Sequence, residues 1–279
     1  MEILITGATG RLGRVLTPEL AGAGHAVRAA GRAPAPTGKP GSLPGGSRHD
    51  RSDRPAGGEV RRVRLDLVTG DGLPAAVDGV DTVVHLAAAP YQGSYTRQVD
   101  AAGTRRLVEA AARAGVRHLV YLSIVGADRV PWPYFRIKIE AEAAVAAGPV
   151  PWTALRVTQF HGFLAEALSR LAWLPVLPVD PGITAQPVDV ADVAAHLRWR
   201  VTAAPAGATE EFGGPAELDG GTLVREWLAA RRIRRRMLRL PVPGRLGRAF
   251  RAGALVPSTG NRGRITWREY LAGPSEQAG

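Results

Sequence analysis

A tyrosine and a lysine four residues apart are the residues of this sequence best suited to chemistry. At helical spacing, the side chains of Tyr134 and Lys138 share one face. An ammonium beside a phenol favours the phenolate, so we expect Lys138 to lower the pKa of Tyr134 from its usual value of about 10. Such a phenol is a suitable general acid for a carbonyl oxygen that receives a hydride. Ser123, at the end of a predicted strand, completes a predicted catalytic group, because its hydroxyl can donate a hydrogen bond to the same oxygen.

The scarcity of lysine strengthens this interpretation. Lys39 and Lys138 are the only lysines among 36 basic residues. A chain that uses arginine almost everywhere has a lysine at this position. Arginine could not replace it beside the tyrosine, because its pKa and shape differ from those of lysine. The alternative is a lysine on a solvated helix surface.

A glycine-rich turn, GATGRLG at residues 7–13, lies between a predicted strand and a predicted helix. Gly7 permits the tight turn, Gly10 lets the backbone approach a pyrophosphate, and Gly13 lets the helix pack on the strand. The free amides of the helix start supply an anion site. The turn predicts dinucleotide binding by its own residues, which include Thr9, Arg11 and Leu12; the alternative is a purely structural turn.

The end of the second predicted strand favours NADPH over NADH. An acidic residue there would bind a ribose hydroxyl, whereas an arginine suits a 2′-phosphate. Residues 20–49 contain no Asp or Glu, and Arg28 and Arg32 flank the strand end, with Arg32 the better candidate. In so arginine-rich a chain, chance placement is the alternative.

Further cofactor contacts are expected at the ends of the third and fourth strands. Asp66, followed by Leu67, could accept a hydrogen bond from the adenine amino group, or it could cap a loop. Small residues at Ala87 and Ala88 would let the cofactor lie against the backbone. His85, just before them, is interpreted as a packed strand histidine rather than a catalyst.

Strands and helices must alternate along the chain to bring these candidate residues together. The predicted strands are residues 2–6, 25–30, 60–67, 81–86, 118–123 and 152–157, and the helices between them include 11–23, 100–114 and 134–147. Strands that alternate with helices predict an α/β fold, a Rossmann-type doubly wound parallel sheet. We place the dinucleotide-binding core at 1–160, with a mobile loop at 33–58. A small, mostly helical, substrate-covering region follows at 161–279 and packs on the core.

The covering region is predicted to supply the substrate pocket. Trp132, before the catalytic helix, and Phe160 and His161, after the sixth strand, are candidate walls, although packing is the alternative for each. Residues 223–240 are predicted to form a helix. The arginine-rich segment 231–251 is interpreted as an amphipathic helix with its charges in water, because no nucleic-acid-binding signature accompanies it.

The quoted motifs together resemble an atypical short-chain dehydrogenase/reductase, and within that group the NmrA-like NAD(P)H-binding proteins. The resemblance rests on the glycine turn, the HLAA sequence after the fourth strand, GVRHLVYLS at 115–123 and the YxxxK spacing. It implies cofactor contacts in the turn and at Arg32 and Asp66, and a catalytic triad of Ser123, Tyr134 and Lys138. One departure is Asp100, where many extended members have asparagine. Some NmrA-like members bind the cofactor as sensors without catalysis.

The expected function is therefore NADPH-dependent reduction of a ketone, quinone or related carbonyl compound, in which Lys138 also binds the cofactor by holding its ribose. The alternatives are a cofactor sensor and a non-redox cyclase or dehydratase. The absence of cysteine excludes disulfides and thiolate metal sites, and no metal is expected. With no spanning apolar run and no leader, we expect a cytoplasmic monomer or homodimer without a membrane partner. The net charge of +11 is interpreted as arginine on ordinary surface rather than as a nucleic-acid footprint.

Overall fold

Eight strands form one parallel sheet in the computed structural model, which describes residues 1–32, 58–258 and 260–273. In spatial order they are β12 (Asn261–Arg262), β9 (Thr209–Gly213), β6 (Trp152–Val157), β5 (His118–Ile124), β4 (Thr82–His85), β1 (Glu2–Thr6), β2 (Ala26–Gly31) and β3 (Val60–Arg64). All neighbouring strands run parallel, and the order reverses between β1 and β4. The predicted doubly wound α/β fold is confirmed. The loop predicted at 33–58 lies, apart from Gly58, outside the described residues.

Helices cover both faces of the sheet because each has one apolar stripe. On one face lie α1 (Arg11–Gly22) and α7 (Val190–Arg200). On the other lie α2 (Leu73–Val77), α4 (Gly103–Arg113) and α5 (Pro133–Ala146). A short helix α3 (Ser94–Thr96) and a π-helical turn (Arg97–Ala102) lead directly into α4. In α1, Leu12, Leu16 and Leu20 recur every four residues and are buried, and each stabilises the fold by about 1.5–3 kcal/mol.

The chain after residue 160 contributes to the sheet as well as to the covering region. Both β9 and β12 extend the sheet, and α7 packs against α1, so the predicted boundary at 160 does not coincide with a sheet edge. A separate apolar cluster is enclosed by α6 (His161–Leu171), β7 (Val176–Val179), α8 (Gly220–Ala230) and α10 (Trp267–Ala272). A small antiparallel pair, β8 (Thr184–Ala185) and β10 (Leu218–Asp219), joins them. Among the described residues, no helix is long and apolar enough to cross a membrane.

The helix predicted at 223–240 is wrong beyond Ala230. Arg232 adopts a left-handed conformation with φ of 54°, and the amide of Ile233 donates to the carbonyl of Leu228 at 3.0 Å. This is the Schellman ending, which usually has glycine at the left-handed position. The chain then forms β11 (Arg236–Arg239), which pairs in parallel with β7, and the helix α9 (Gly244–Arg251). The arginine-rich segment is therefore not one amphipathic helix.

Candidate functional site

The glycine turn is packed too tightly for side chains at two of its glycines. Gly7 has φ of 73°, and a Cβ there would lie 2.7 Å from the amide nitrogen of Ala87. A Cβ on Gly13 would lie 2.6 Å from the Cα of Ala8. Gly10 is more open, and as the N-cap of α1 it leaves the first helix amides without a side-chain cap. This geometry suits a phosphate, because the backbone amides of a helix start bind anions.

Gly13→Ala is expected to destabilise the protein by about 1–3 kcal/mol, because the new methyl group overpacks the turn against α1. It should also weaken NADPH binding, since the turn must shift. Thermal unfolding and an NADPH titration would measure the two effects. Gly22→Ala in the same helix is the matched control, because a Cβ there meets nothing within 4 Å. Equal stability and affinity in the two variants would contradict the packing argument.

A cleft of about 240 Å³ opens beside the turn, at the carboxyl ends of β1, β2 and β4. Eight of the residues predicted to bind cofactor line it: Gly7, Thr9, Gly10, Arg32, Asp66, Leu67, Ala87 and Ala88. The remaining residues of the turn lie differently. The side chain of Leu12 is buried in the core, Gly13 packs on the turn, and Arg11 forms an ion pair with Glu166 of α6.

Arg32 and Arg28 have different roles in the structure. Arg32 is exposed at the cleft, and its Nη1 donates to the phenol oxygen of Tyr95 at 2.6 Å. Arg28 is instead committed to the fold: its Nε donates to Glu2 at 2.6 Å and its Nη1 to carbonyls around the end of α2. Tyr95 also lines the cleft. Sequence reasoning did not identify Tyr95, because it lies 63 positions from Arg32 in no motif.

Asp66 and His85, the two polar residues at the strand ends, form hydrogen bonds within the fold. Asp66 caps its own turn, where Oδ1 accepts from the amides of Val68 at 2.7 Å and Thr69 at 3.3 Å. The capping alternative is therefore observed, at the edge of the cleft. His85 is fully buried between hydroxyls of Thr6 and Thr104, at 2.6 and 2.8 Å. Burial lowers the pKa of His85 to about 3, so it is a neutral packing residue, as predicted.

Lys138 is buried and held in place, which excludes the surface-lysine alternative. Its Nζ donates to the carbonyl of Leu122 at 3.0 Å and lies 3.9 Å from Oδ1 of Asp100. The ammonium also lies 4.4 Å from the ring centroid of Tyr121. Burial lowers the pKa of Lys138, although the negative charges of Asp100 and Glu142 act in the opposite direction.

The predicted lowering of the Tyr134 pKa is wrong. Burial of the half-buried phenol, with the negative charge of Asp100, raises the pKa of Tyr134 well above its usual value. The physical reason is that the Lys138 ammonium binds the Leu122 carbonyl and faces Asp100. The phenol therefore stays protonated, which is the form that donates a proton.

Ser123 lies on the sheet face that α5 covers. Because side chains alternate along β5, Ser123 shares this face with Tyr121, whose ring contacts Lys138. The Ser123 hydroxyl is buried without a hydrogen-bond partner among the described residues, as are Oδ1 of Asp100 and the phenol oxygen of Tyr121. Each orphaned group costs about 1–3 kcal/mol. Three of them in one place fit a site that binds a polar ligand.

Asp100 connects this group to the cofactor cleft. It lies in the π-helical turn, and its Oδ2 accepts from the amide of Ala89 at 2.9 Å. Ala89 itself lines the cleft. Burial raises the pKa of Asp100, opposed by the charge of Lys138 and the Ala89 hydrogen bond. The cleft and the Tyr134–Lys138 pair therefore adjoin.

Asp100→Asn is expected to lower the pKa of Tyr134, because it removes a negative charge that raises it. In the expected reduction the protonated phenol would be the proton donor, so the alkaline loss of activity should move to lower pH. Labelled tyrosine ζ-carbon NMR, assigned with Tyr134→Phe, would read the pKa directly. Asp71→Asn, at an exposed loop, is the control. An unchanged or higher pKa in Asp100→Asn would show that Asp100 does not act on the phenol.

The three predicted pocket residues lie in different environments. Trp132 is 39% exposed immediately before α5 and packs on Phe135, with ring centroids 5.5 Å apart. Phe160 is half-buried against the core, so a pocket role for these two remains a prediction. For His161 the packing alternative is observed. It is buried, with Nε2 3.1 Å from the carbonyl of Pro187 and Nδ1 3.4 Å from Asp189, so both ring nitrogens have partners within the fold.

Fold and cleft together define a dinucleotide-binding protein of the Rossmann type. A family model described as NAD(P)H-binding matches residues 7–197, which include the glycine turn and Lys138. The chain belongs to this NAD(P)H-binding family. The glycine turn, the open helix amides and the orphaned polar atoms fit such a cofactor.

Two curated relatives have dehydrogenase or reductase names. A (4-alkanoyl-5-oxo-2,5-dihydrofuran-3-yl)methyl phosphate reductase of Streptomyces griseus is 32% identical over 180 residues, covering 62% of this chain and 51% of the relative. A 3 beta-hydroxysteroid dehydrogenase/Delta 5-->4-isomerase of Mycobacterium tuberculosis is 33% identical over 132 residues, 44% of this chain and 31% of the relative. The chain thus spans 51% of the length of the first relative and 31% of the length of the second.

Among solved structures, the fold is similar to the NADPH-dependent quinone oxidoreductase QOR2 of Escherichia coli, complexed with NADPH. The TM-score is 0.71 at 19% identity, covering 97% of this chain and 98% of that one. MoeE5 in complex with UDP-glucuronic acid and NAD gives a TM-score of 0.73 at 22% identity, with 98% and 97% covered. At these identities the likeness shows the fold alone.

Proposed function

We propose that this protein is an NADPH-dependent reductase of a ketone, quinone or related carbonyl compound. The observation that carries the proposal is the placement of the Tyr134 phenol one helical turn from buried Lys138, beside the cofactor cleft. A proton donor there suits a carbonyl oxygen that gains negative charge. The reductase and quinone oxidoreductase among the similar proteins support the same reaction class.

In the proposed reaction, NADPH supplies the hydride when it is bound. Tyr134 donates its phenolic proton to the carbonyl oxygen, and the buried hydroxyl of Ser123 donates a hydrogen bond that orients the substrate. The phenolate left behind regains a proton from solvent. The Leu122 carbonyl holds Lys138 at 3.0 Å, where its ammonium can bind the cofactor ribose. The raised pKa of Tyr134 keeps the phenol protonated at neutral pH, the form that donates a proton in reduction.

The preference for NADPH is proposed from Arg32 and Tyr95. An exposed guanidinium and a phenol at the end of β2 offer donors to a 2′-phosphate. The acidic residue that would hold a ribose hydroxyl is absent from the described end of β2, where Gly31 and Arg32 stand.

The decisive experiment is NADPH depletion against a panel of quinones and ketones, with the product mass recorded. Reduction adds two hydrogens to at least one compound. NADPH binding without depletion on any compound would contradict the proposal and favour a cofactor sensor. A product of altered structure but unchanged hydrogen count would indicate the cyclase or dehydratase alternative.

A further inference from the structure

Exposed apolar side chains are concentrated at one place outside the catalytic site. Six of the twelve large exposed apolar residues in the described part of the chain lie on or beside the paired strands β7 and β11. They are Leu171, Trp173, Val176, Met237, Leu238 and Leu240. Trp173 is 77% exposed, and Leu238 and Leu240 are each 54% exposed. Single exposed apolar residues need no explanation, but a cluster indicates an interaction surface.

The register of the two strands explains the cluster. Leu177 and Val179 of β7 point into the apolar cluster beneath. Their neighbours Val176 and Pro178 point outward, where they lie opposite Arg236 and Leu238 of β11. The outer face of this two-stranded ribbon is therefore apolar, with arginine among the apolar groups. We call β7, β11 and the flanking residues 171–175, 234, 235 and 240 the basic ribbon.

The charge around the basic ribbon is predominantly positive. Residues 225–251 contain ten arginines and a single acidic residue, Glu226, which pairs with Arg268. Arg234, Arg236 and Arg239 have no acidic partner among the described residues. The first two line an open groove of about 940 Å³ together with Trp173 and Met237. Arginine and exposed apolar groups are thus combined on one surface.

We propose that the basic ribbon binds the surface of an anionic lipid bilayer. Arginines attract acidic headgroups while their aliphatic stems lie along apolar surface, and Trp and Leu side chains enter the boundary between headgroups and acyl chains. Trp173, Leu238 and Leu240 are the residues that enter. The protein lies on the membrane and does not span it. The sequence-based expectation of no membrane partner rested on the lack of a spanning apolar run, which says nothing about binding at the membrane surface.

Two other occupants fit the basic ribbon less well. A second copy joined through the same face would bring two arginine-rich surfaces together, and the like charges would repel. A nucleic acid would satisfy the arginines and could stack on Trp173, but it offers no apolar phase for Leu238 and Leu240. An anionic bilayer satisfies both the charge and the apolar groups. The proposal is independent of the reductase reaction.

Co-sedimentation of the full chain with lipid vesicles tests the proposal. We expect binding to phosphatidylcholine vesicles that contain phosphatidylglycerol, little binding to phosphatidylcholine alone, and weakening by salt. Leu238→Ser with Leu240→Ser should reduce the bound fraction several-fold at unchanged net charge. Arg234→Glu with Arg236→Glu should do the same. Arg61→Glu with Arg62→Glu, on exposed β3, makes the same charge change elsewhere and should retain most of the binding.

Several outcomes would overturn this proposal. The first is no sedimentation with anionic vesicles, and the second is an equal loss of binding in the β3 variant, which would make net charge the cause. Binding of single-stranded RNA without vesicle binding would assign the surface to nucleic acid. A dimer in analytical ultracentrifugation that Leu238→Ser dissociates would assign it to a second copy. Circular dichroism of each variant would show that the fold is retained.

Discussion

Tyr134→Phe is expected to lower kcat for carbonyl reduction by about 10²–10⁴-fold, the range that general acid catalysis contributes. The substitution removes the proton donor but retains the ring, which packs against Phe135 and Tyr91. Because the phenol takes no part in the glycine turn or the cleft lining, NADPH binding should stay within a few-fold of the unmodified protein. Steady-state kinetics on an active panel compound and NADPH fluorescence would measure the two quantities.

The control for this prediction is Tyr91→Phe. Tyr91 is 50% exposed and its ring contacts Tyr134 at a centroid distance of 6.2 Å. Removing its hydroxyl makes the same chemical change at the edge of the site, and turnover should persist. If Tyr134→Phe turned over at the unmodified rate, Tyr134 would not be the proton donor and the proposed mechanism would be rejected. If both variants lost activity equally, the effect would be one of packing.

Arg32→Glu is expected to reverse the cofactor preference. Hydrogen bonds to charged groups contribute about 1.5–3 kcal/mol, so loss of the guanidinium should raise the KM for NADPH roughly 10–100-fold. The new carboxylate repels a 2′-phosphate and can accept from a ribose hydroxyl, so the KM for NADH should fall. Tyr95→Phe should produce a smaller rise for NADPH alone, because it removes one phenol beside Arg32.

The control variant for Arg32→Glu is Arg61→Glu on exposed β3. It makes the same charge change and should leave the KM values for NADPH and NADH unchanged. Equal KM changes for NADPH and NADH in Arg32→Glu would mean that the residue does not contact the 2′-phosphate. The ratio of the two KM values is therefore the measurement to report.

Local spacing predicted the parts of the site that lie close together along the chain. The glycine turn and its helix span residues 7–22, and Tyr134 and Lys138 lie one helical turn apart, so both were predicted from the sequence. Contacts between distant segments could not be predicted in this way. Neither the hydrogen bond between Tyr95 and Arg32 nor that between Asp100 and Ala89 has a signal in residue spacing.

Two sequence predictions were wrong, the lowered pKa of Tyr134 and the helix at 223–240, and in both cases the cause is not visible in the residue types. The sign of the pKa shift at Tyr134 depends on burial and on Asp100, which lies in the π-helical turn. The helix predicted at 223–240 ends early because Arg232 adopts the left-handed conformation that ends the helix. Glycine usually occupies this position, and its absence removed the sequence signal for a helix end. The sequence pattern of apolar residues continues past that point, although the backbone does not.

The carboxylate of Asp100 has one oxygen on the amide of Ala89 and the other facing Lys138. A ligand that displaces the Ala89 amide would disturb its hydrogen bond to Asp100, and the Asp100 charge acts on the acidity of Tyr134. Cofactor affinity and the pKa of the Tyr134 phenol are then thermodynamically linked. The factor by which cofactor binding changes the proton affinity of Tyr134 must equal the factor by which protonation of Tyr134 changes cofactor affinity.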